Sequence, residues 1–161
     1  MEGKKVKEST LTMVHQMTQL DANTSGNVHG GVVMKHIDIT AGIVAARHAC
    51  KNVVTASLDR LDFHNPVFIG ELLNLKASLN LVGRTSMEVG VRVEAENLLT
   101  GAARHTASAY LTFVALGPDG RPSPVPPLIL ESDGDKRRNQ EAKARKDMRL
   151  AEKLREKKAH K

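Results

Sequence analysis

Asp38 is the residue in this chain whose type and place most invite chemistry. It stands between Ile37 and Ile39, inside the stretch VVMKHIDITAGIVAARHA, most of whose positions are apolar. A carboxylate there is costly to bury unless it is hydrogen-bonded or functional. One reading pairs it with Lys35, or sets it on an exposed polar stripe with Lys35 and Arg47. The other lets apolar surroundings lift its pKa toward neutrality, which suits a general base. It lies two turns from the start of its helix, so the helix dipole restrains that rise little. Just upstream, Asn27-Val28-His29-Gly30-Gly31 leads into the same stretch. Two glycines let a ligand approach the backbone, and unpaired N–H groups at a helix start point toward an oxyanion or polarised carbonyl. Alternatively, Gly30 and Gly31 serve only the passage from loop to helix. Asn23 can donate its amide to a substrate or water, or simply close an Asx turn.

Other familiar sites are missing from the sequence. There is no Gly-x-Ser-x-Gly elbow, and no GxxxxGK[ST], GxGxxG or HExxH signature. The seven histidines lack metal-ligand spacing and Cys50 has no CxxC partner, so no metal site is expected.

The hydrophobic period shows what must position these groups. Residues 10–18 alternate, with Leu11, Met13, His15 and Met17 facing one way, as a strand does. A turn-rich run from Asp21 to Asn27 follows. Then Val33, Ile37, Ala41 and Val44 recur at helical spacing, and Val32, Ile39, Ile43 and Ala46 add apolar positions around the cylinder. A helix over residues 30–49, buried on most sides, is expected. Its β-branched residues are poor helix formers, so packing has to hold it. Residues 53–63, 71–82, 87–96 and 103–116 read as strands, and short connections imply antiparallel neighbours. Helix and sheet segregate, which gives an α+β fold: one long helix against a curved antiparallel sheet of about five strands. Beyond Ser132 the chain is a charged run of helix formers, read as a solvated helix or frayed tail with a narrow apolar stripe at Met148, Ala151 and Leu154.

Charge and composition exclude several classes. The chain has 161 residues and a net charge of +6. Residues 131–161 hold 12 Lys and Arg against 7 Asp and Glu, while residues 9–130 balance, so the basic character belongs to the ends. Phe63, Phe68, Phe113 and Tyr110 are the only aromatic rings of Phe, Tyr or Trp type. Stacking platforms for single strands are therefore lacking, and nucleic acid is not the expected partner. A charged opening and the lack of a long apolar run predict neither signal peptide nor transmembrane helix. One cysteine forms no intrachain bridge, and a cytoplasmic location is expected.

Several ordered motifs then resemble one family. They are Asp21-Ala22-Asn23, Gly26-Asn27-Val28-His29-Gly30-Gly31, Met34, Asp38 and Ala41-Gly42-Ile43-Val44-Ala45-Ala46-Arg47-His48. Further along come Val53-Val54-Thr55-Ala56-Ser57, Asp62-Phe63-His64-x-Pro66, Gly83-Arg84-Thr85-Ser86-Met87-Glu88-Val89 and Val125-Pro126-Pro127. Together they resemble the cytosolic acyl-CoA thioesterases of the hotdog fold, over roughly residues 12–128. The resemblance implies a charged tail at 1–8, a hotdog domain at 9–128 and a helical extension at 129–161. It implies hydrolysis of acyl-CoA to free CoA and a fatty acid, with no cofactor beyond the CoA of the substrate. It also implies a site at a dimer interface, where Asn23 of one subunit meets Asp38 of the other. The assembly it implies is a homodimer at least, commonly a hexameric trimer of dimers. On this reading the Gly30–Gly31 amides hold the thioester carbonyl, and Asp38 either activates water or attacks directly to give a mixed anhydride. Arg84, Thr85 and Ser86 offer a cation, two hydroxyls and backbone amides to the CoA phosphates, or form an ordinary polar turn. The competing function is a hotdog protein that binds acyl-CoA as sensor or carrier without turning it over.

Overall fold

Alternating residues build the sheet. In the computed structural model, which describes residues 1–159, five strands pair antiparallel in the order β2-β4-β5-β6-β3. They are β2 (Leu11–Gln16), β3 (Asn52–Phe63), β4 (Leu72–Val82), β5 (Ser86–Glu96) and β6 (Ala103–Leu116). On β4 the period of two turns Leu73, Leu75, Ala77 and Leu79 to one face, fully buried. Val89, Val91 and Val93 of β5 and Ala107, Ala109 and Leu111 of β6 continue that face. Each large apolar side chain buried there contributes roughly 1.5–3 kcal/mol, and a slip of one residue would turn the row outward.

Helix α1 (Gly30–Ala49) lies across this face, burying Val33, Ile37, Ala41, Val44 and Ala45. It ends at Cys50, whose left-handed φ of 51° and N–H to Ala46 O stop the helix. Lys4 Nζ donates to the exposed carbonyl of His48 at 2.9 Å. The helix is less enclosed than its composition predicts. Met34, Ile39 and Ile43 are exposed, because one sheet covers only one arc of the cylinder and no other element among the described residues covers the other. The same is true of β3, an edge strand that exposes Val54 and Leu58.

Both ends of the chain pack. Strand β1 (Lys4–Lys5) pairs parallel with β7 (Leu128–Ile129), each too short to leave a periodic signal. Helix α2 (Asp133–Ala159) crosses the second face of the sheet. The narrow apolar stripe at Met148, Ala151 and Leu154 is exposed, as on a solvated helix, and takes no part in this contact. Contact runs instead through Asn139, Ala142, Arg145 and Arg149. Asn139 Nδ2 donates to Asn80 O at 2.8 Å, and Arg145 pairs with the buried Glu88 at 2.7 Å. The Arg145 guanidinium also lies 3.7 Å from the centre of the Tyr110 ring. A polar sheet face asks for a polar helix, which hydrophobic periodicity does not reveal. Among the described residues no helix is long and apolar enough to cross a membrane.

Candidate active site

Asp38 emerges from α1 on the exposed side, and Thr55 of β3 meets it there. The Thr55 hydroxyl donates to Asp38 Oδ1 at 2.7 Å. Both line a cavity of about 400 Å³, with Gly31 beside them and Met34, Leu58, Leu61 and Leu111 forming much of the apolar remainder. Of the readings the sequence left open, the single chain favours the exposed polar stripe over an enclosed carboxylate: Lys35, Asp38 and Arg47 are all exposed. Val33, Ile37 and Ala41 take the inward arc of α1, which leaves Asp38 on the outward one. Its partner is neither Lys35 nor Arg47 but a hydroxyl from another element. Thr55 sits where the β3–β6 register slips between Thr55 and Ser57, and such a bulge re-aims the side chains next to it.

A second cavity of about 340 Å³ opens at the start of α1 and includes Asn23, Asn27, Gly30, Phe63, His64 and Asn65. Asn23 Oδ1 accepts the N–H groups of Ser25 and Asn27 at 2.9 and 3.2 Å. The side chain thus closes its own turn, helped by Gly26 at a φ of +83°. Its Nδ2 has no acceptor among the described residues, which leaves a donor available. The turn is tied down by His29 N–H to Asp21 O at 2.7 Å and Val28 N–H to Val67 O at 2.8 Å.

The two glycines are not equivalent. Gly31 N–H donates to Nδ1 of the helix-capping His29 at 2.9 Å, so the amide expected to hold a carbonyl is occupied in this chain. Gly30 N–H has no acceptor among the described residues, and it is the open donor. His29 is exposed, so its ring can give way to a ligand oxygen. Nearby on α1, burial and the stacked His15 ring 4.2 Å away push His36 below the usual histidine range.

Arg84, Thr85 and Ser86 join neither cavity. Their turn is held by Ala115 N–H to Thr85 O and Val125 N–H to Arg84 O. Ser86 pairs with Val114, and neighbouring Leu116 with Asn52, which places the turn beside the end of α1 rather than its start. Two arginines of α2 are engaged elsewhere, Arg145 with Glu88 and Arg149 with Asp59. Among the described residues no three His, Cys, Asp or Glu side chains converge to hold a metal ion. Sequence reasoning did not single out Thr55. Its one sign was the Val53-Val54-Thr55-Ala56-Ser57 motif, since its bond to Asp38 spans two elements.

A helix against a five-stranded antiparallel sheet, with a carboxylate and a helix start at its exposed side, defines a hotdog domain. Known proteins agree with that class. The thioesterase superfamily matches residues 25–102. The cytosolic acyl coenzyme A thioester hydrolase of Mus musculus is 38% identical over 146 residues, 89% of this chain and 38% of that protein. The chain therefore spans well under half the length of that relative. An apo-hexameric acyl-CoA thioesterase superposes with a TM-score of 0.91 at 38% identity, covering 94% of this chain and 97% of the other. An acyl-CoA hydrolase from Staphylococcus aureus, in complex with butyryl coenzyme A, coenzyme A and coenzyme A disulfide, superposes with a TM-score of 0.89 at 35% identity, covering 97% and 95%. Three alanine variants of that hydrolase have been solved, replacing an asparagine, an aspartate and a threonine. Their sequence spacing is that of Asn23, Asp38 and Thr55 here. The chain belongs to the acyl-CoA thioester hydrolases of the hotdog fold.

Proposed function

We propose that this protein hydrolyses acyl-CoA thioesters to free CoA and a carboxylic acid. The observation that carries the reading is the Asp38–Thr55 pair at the mouth of an apolar cavity. Thr55 holds one carboxylate oxygen and leaves Oδ2 free to take a proton from water, which favours a general base over direct attack. The apolar walls suit an acyl chain.

One chain does not complete the site. Gly30 and Asp38 lie a little over two turns, about 12 Å, apart along α1, and Asn23 lines a different cavity from Asp38. A two-fold pair of chains sets the start of one α1 against the middle of the other. Asn23 and the Gly30–Gly31 amides of one copy then face Asp38 and Thr55 of the second. In that arrangement the amides hold the carbonyl oxygen, Asp38 activates water, and Asn23 Nδ2 orients water or thioester. Closing the pair also excludes water from around Asp38, the enclosure a single chain lacks. The Arg84–Ser86 turn, at the far end of α1, becomes available to the CoA phosphates beyond the partner's helix start. The exposed faces of α1 and β3 support self-association as a dimer, and a trimer of such dimers matches the hexameric relative. The substrate supplies the only coenzyme, and a cytoplasmic location accords with the cytosolic relative.

Release of free thiol from acyl-CoA tests the reading. Asp38→Asn should lower kcat by about 10²–10⁴ while CoA affinity and Tm stay near wild type. Asn23→Ala should cost less. Wild-type turnover by Asp38→Asn would remove the general base, and absence of thiol release by the wild-type protein would sink the hydrolase.

A further inference from the structure

The motif Asp62-Phe63-His64-Asn65-Pro66 has no part in the reaction as described so far. His64 nevertheless lines the same cavity as Asn23 and Gly30. Several bonds fix it there. His64 N–H donates to Thr106 O at 2.8 Å, and Asn65 Nδ2 donates to His105 O at 2.8 Å. Arg104 donates to Pro66 O at 2.7 Å while gripping Glu71. The His64 ring lies against that of His105, centroids 4.8 Å apart. His105 Nε2 in turn sits 2.7 Å from Ser108 Oγ and 3.0 Å from Ala107 O, which fixes that ring beside His64. A side chain above Gly30 would meet the Phe63 ring at 3.8 Å, so the whole segment stands over the helix start.

The two halves of the proposed site differ in chemistry. The Asp38 cavity is apolar along Met34, Leu58, Leu61 and Leu111 and takes the acyl chain. The facing half holds Asn23, His64 and Asn65. A thioester with its acyl chain in the first half and its carbonyl at the Gly30 amide directs its sulfur into the second. We infer that His64 is a catalytic residue, the proton donor to the sulfur as coenzyme A departs. Water adds to the carbonyl and gives one proton to Asp38. The tetrahedral intermediate then collapses; the C–S bond breaks with its electron pair on sulfur, and the imidazolium proton of His64 passes to that sulfur. Asp38 returns its proton through solvent to His64. One thioester and one water become one carboxylic acid and one thiol. This assignment rests on the hydrolytic reading above.

The test compares an acyl-CoA with its analogue in which oxygen replaces the thioester sulfur. A departing alkoxide is a far stronger base than a thiolate and depends more on a proton donor. His64→Gln should lower kcat on the thioester by about 10- to 100-fold, and on the oxygen ester by roughly a further tenfold or more. Equal losses on both substrates, or no loss, overturn the assignment. So does a wild-type enzyme inert on the oxygen ester. His64→Asn supplies the same ratio should the Gln variant fail to fold, and a Tm near wild type separates chemistry from structure. If Asp38→Asn is inactive while His64→Gln is unaffected, hydrolysis stands and His64 is excluded. If the wild-type protein releases no thiol, both fall.

Discussion

Thr55 and Asp38 are the pair on which the proposed chemistry turns, and they are joined by one hydrogen bond of 2.7 Å. The bond is solvent-exposed, so it adds little to stability, but it fixes the rotamer of the acid. Thr55→Val keeps the shape of the side chain and removes the donor. That variant should lose about 10- to 100-fold in kcat, with KM little changed and Tm near wild type. Thr55→Ser should recover most of the rate, and steady-state assays on one acyl-CoA across the three proteins check it. The sequence made Asp38 visible because a charge in an apolar stretch is an anomaly. It could not reveal Thr55, because an ordinary strand threonine acquires its meaning only through a contact between β3 and α1. Nor could it reveal that His29 occupies the Gly31 amide, since capping geometry depends on where the ring turns.

Elements hold these residues in place, and the clamp between β4 and β6 illustrates how. Glu71, at the threshold of β4, takes two bonds from Arg104 at 2.7 and 2.8 Å and one from Phe68 N–H at 2.9 Å. Arg104 also reaches Pro66 O, so the clamp steadies the segment that carries His64. The Arg104 guanidinium holds the Glu71 carboxyl below the usual carboxylate range, aided by the Phe68 amide and opposed by burial. A carboxylate with a depressed folded pKa adds stability that is complete above the ordinary carboxylate range and lost as pH falls through the depressed value. Glu71→Gln should therefore cost roughly 1.5–3 kcal/mol near neutral pH. The gap between the two proteins should narrow in acid, and Tm measured from pH 7 down to about pH 3 displays it. A gap independent of pH would mean that Glu71 acts by packing alone. Most elements were legible from period: α1, β4, β5 and β6 run where alternation and helical spacing put them. The exceptions were elements that period cannot describe. Strands β1 and β7 are two residues each, and α2 docks through Asn139, Ala142 and Arg145 onto a polar sheet face.

The proposed site extends beyond one chain, and the exposed apolar surface is where a second copy would meet it. Met34, Ile39 and Ile43 on α1 and Val54 and Leu58 on β3 stay exposed, and β3 is an edge strand, paired with β6 on one side and with no strand on the other among the described residues. Long apolar edges invite pairing unless covered. In the proposed dimer a second copy on a two-fold axis covers helix and edge together, and brings two half-sites to each interface. Composition foretold the apolar helix but assigned its outer face to the core of one chain, because a sequence does not distinguish burial within a subunit from burial between subunits. Sharing the site has a consequence that no single-chain catalyst has. Asn23→Ala and Asp38→Asn proteins are each deficient when pure, since every site lacks one group. Unfolded together in equal amounts and refolded, half of the dimers pair one variant with the other. Each such dimer contains one site with both lesions and one with neither, so the mixture should regain about a quarter of wild-type activity. Activity that stays at the level of the separate variants, while mass measurement shows mixed dimers, would place Asn23 and Asp38 in the same subunit's site. Recovery to about a quarter places them across the interface, where the two separate cavities of one chain already direct them.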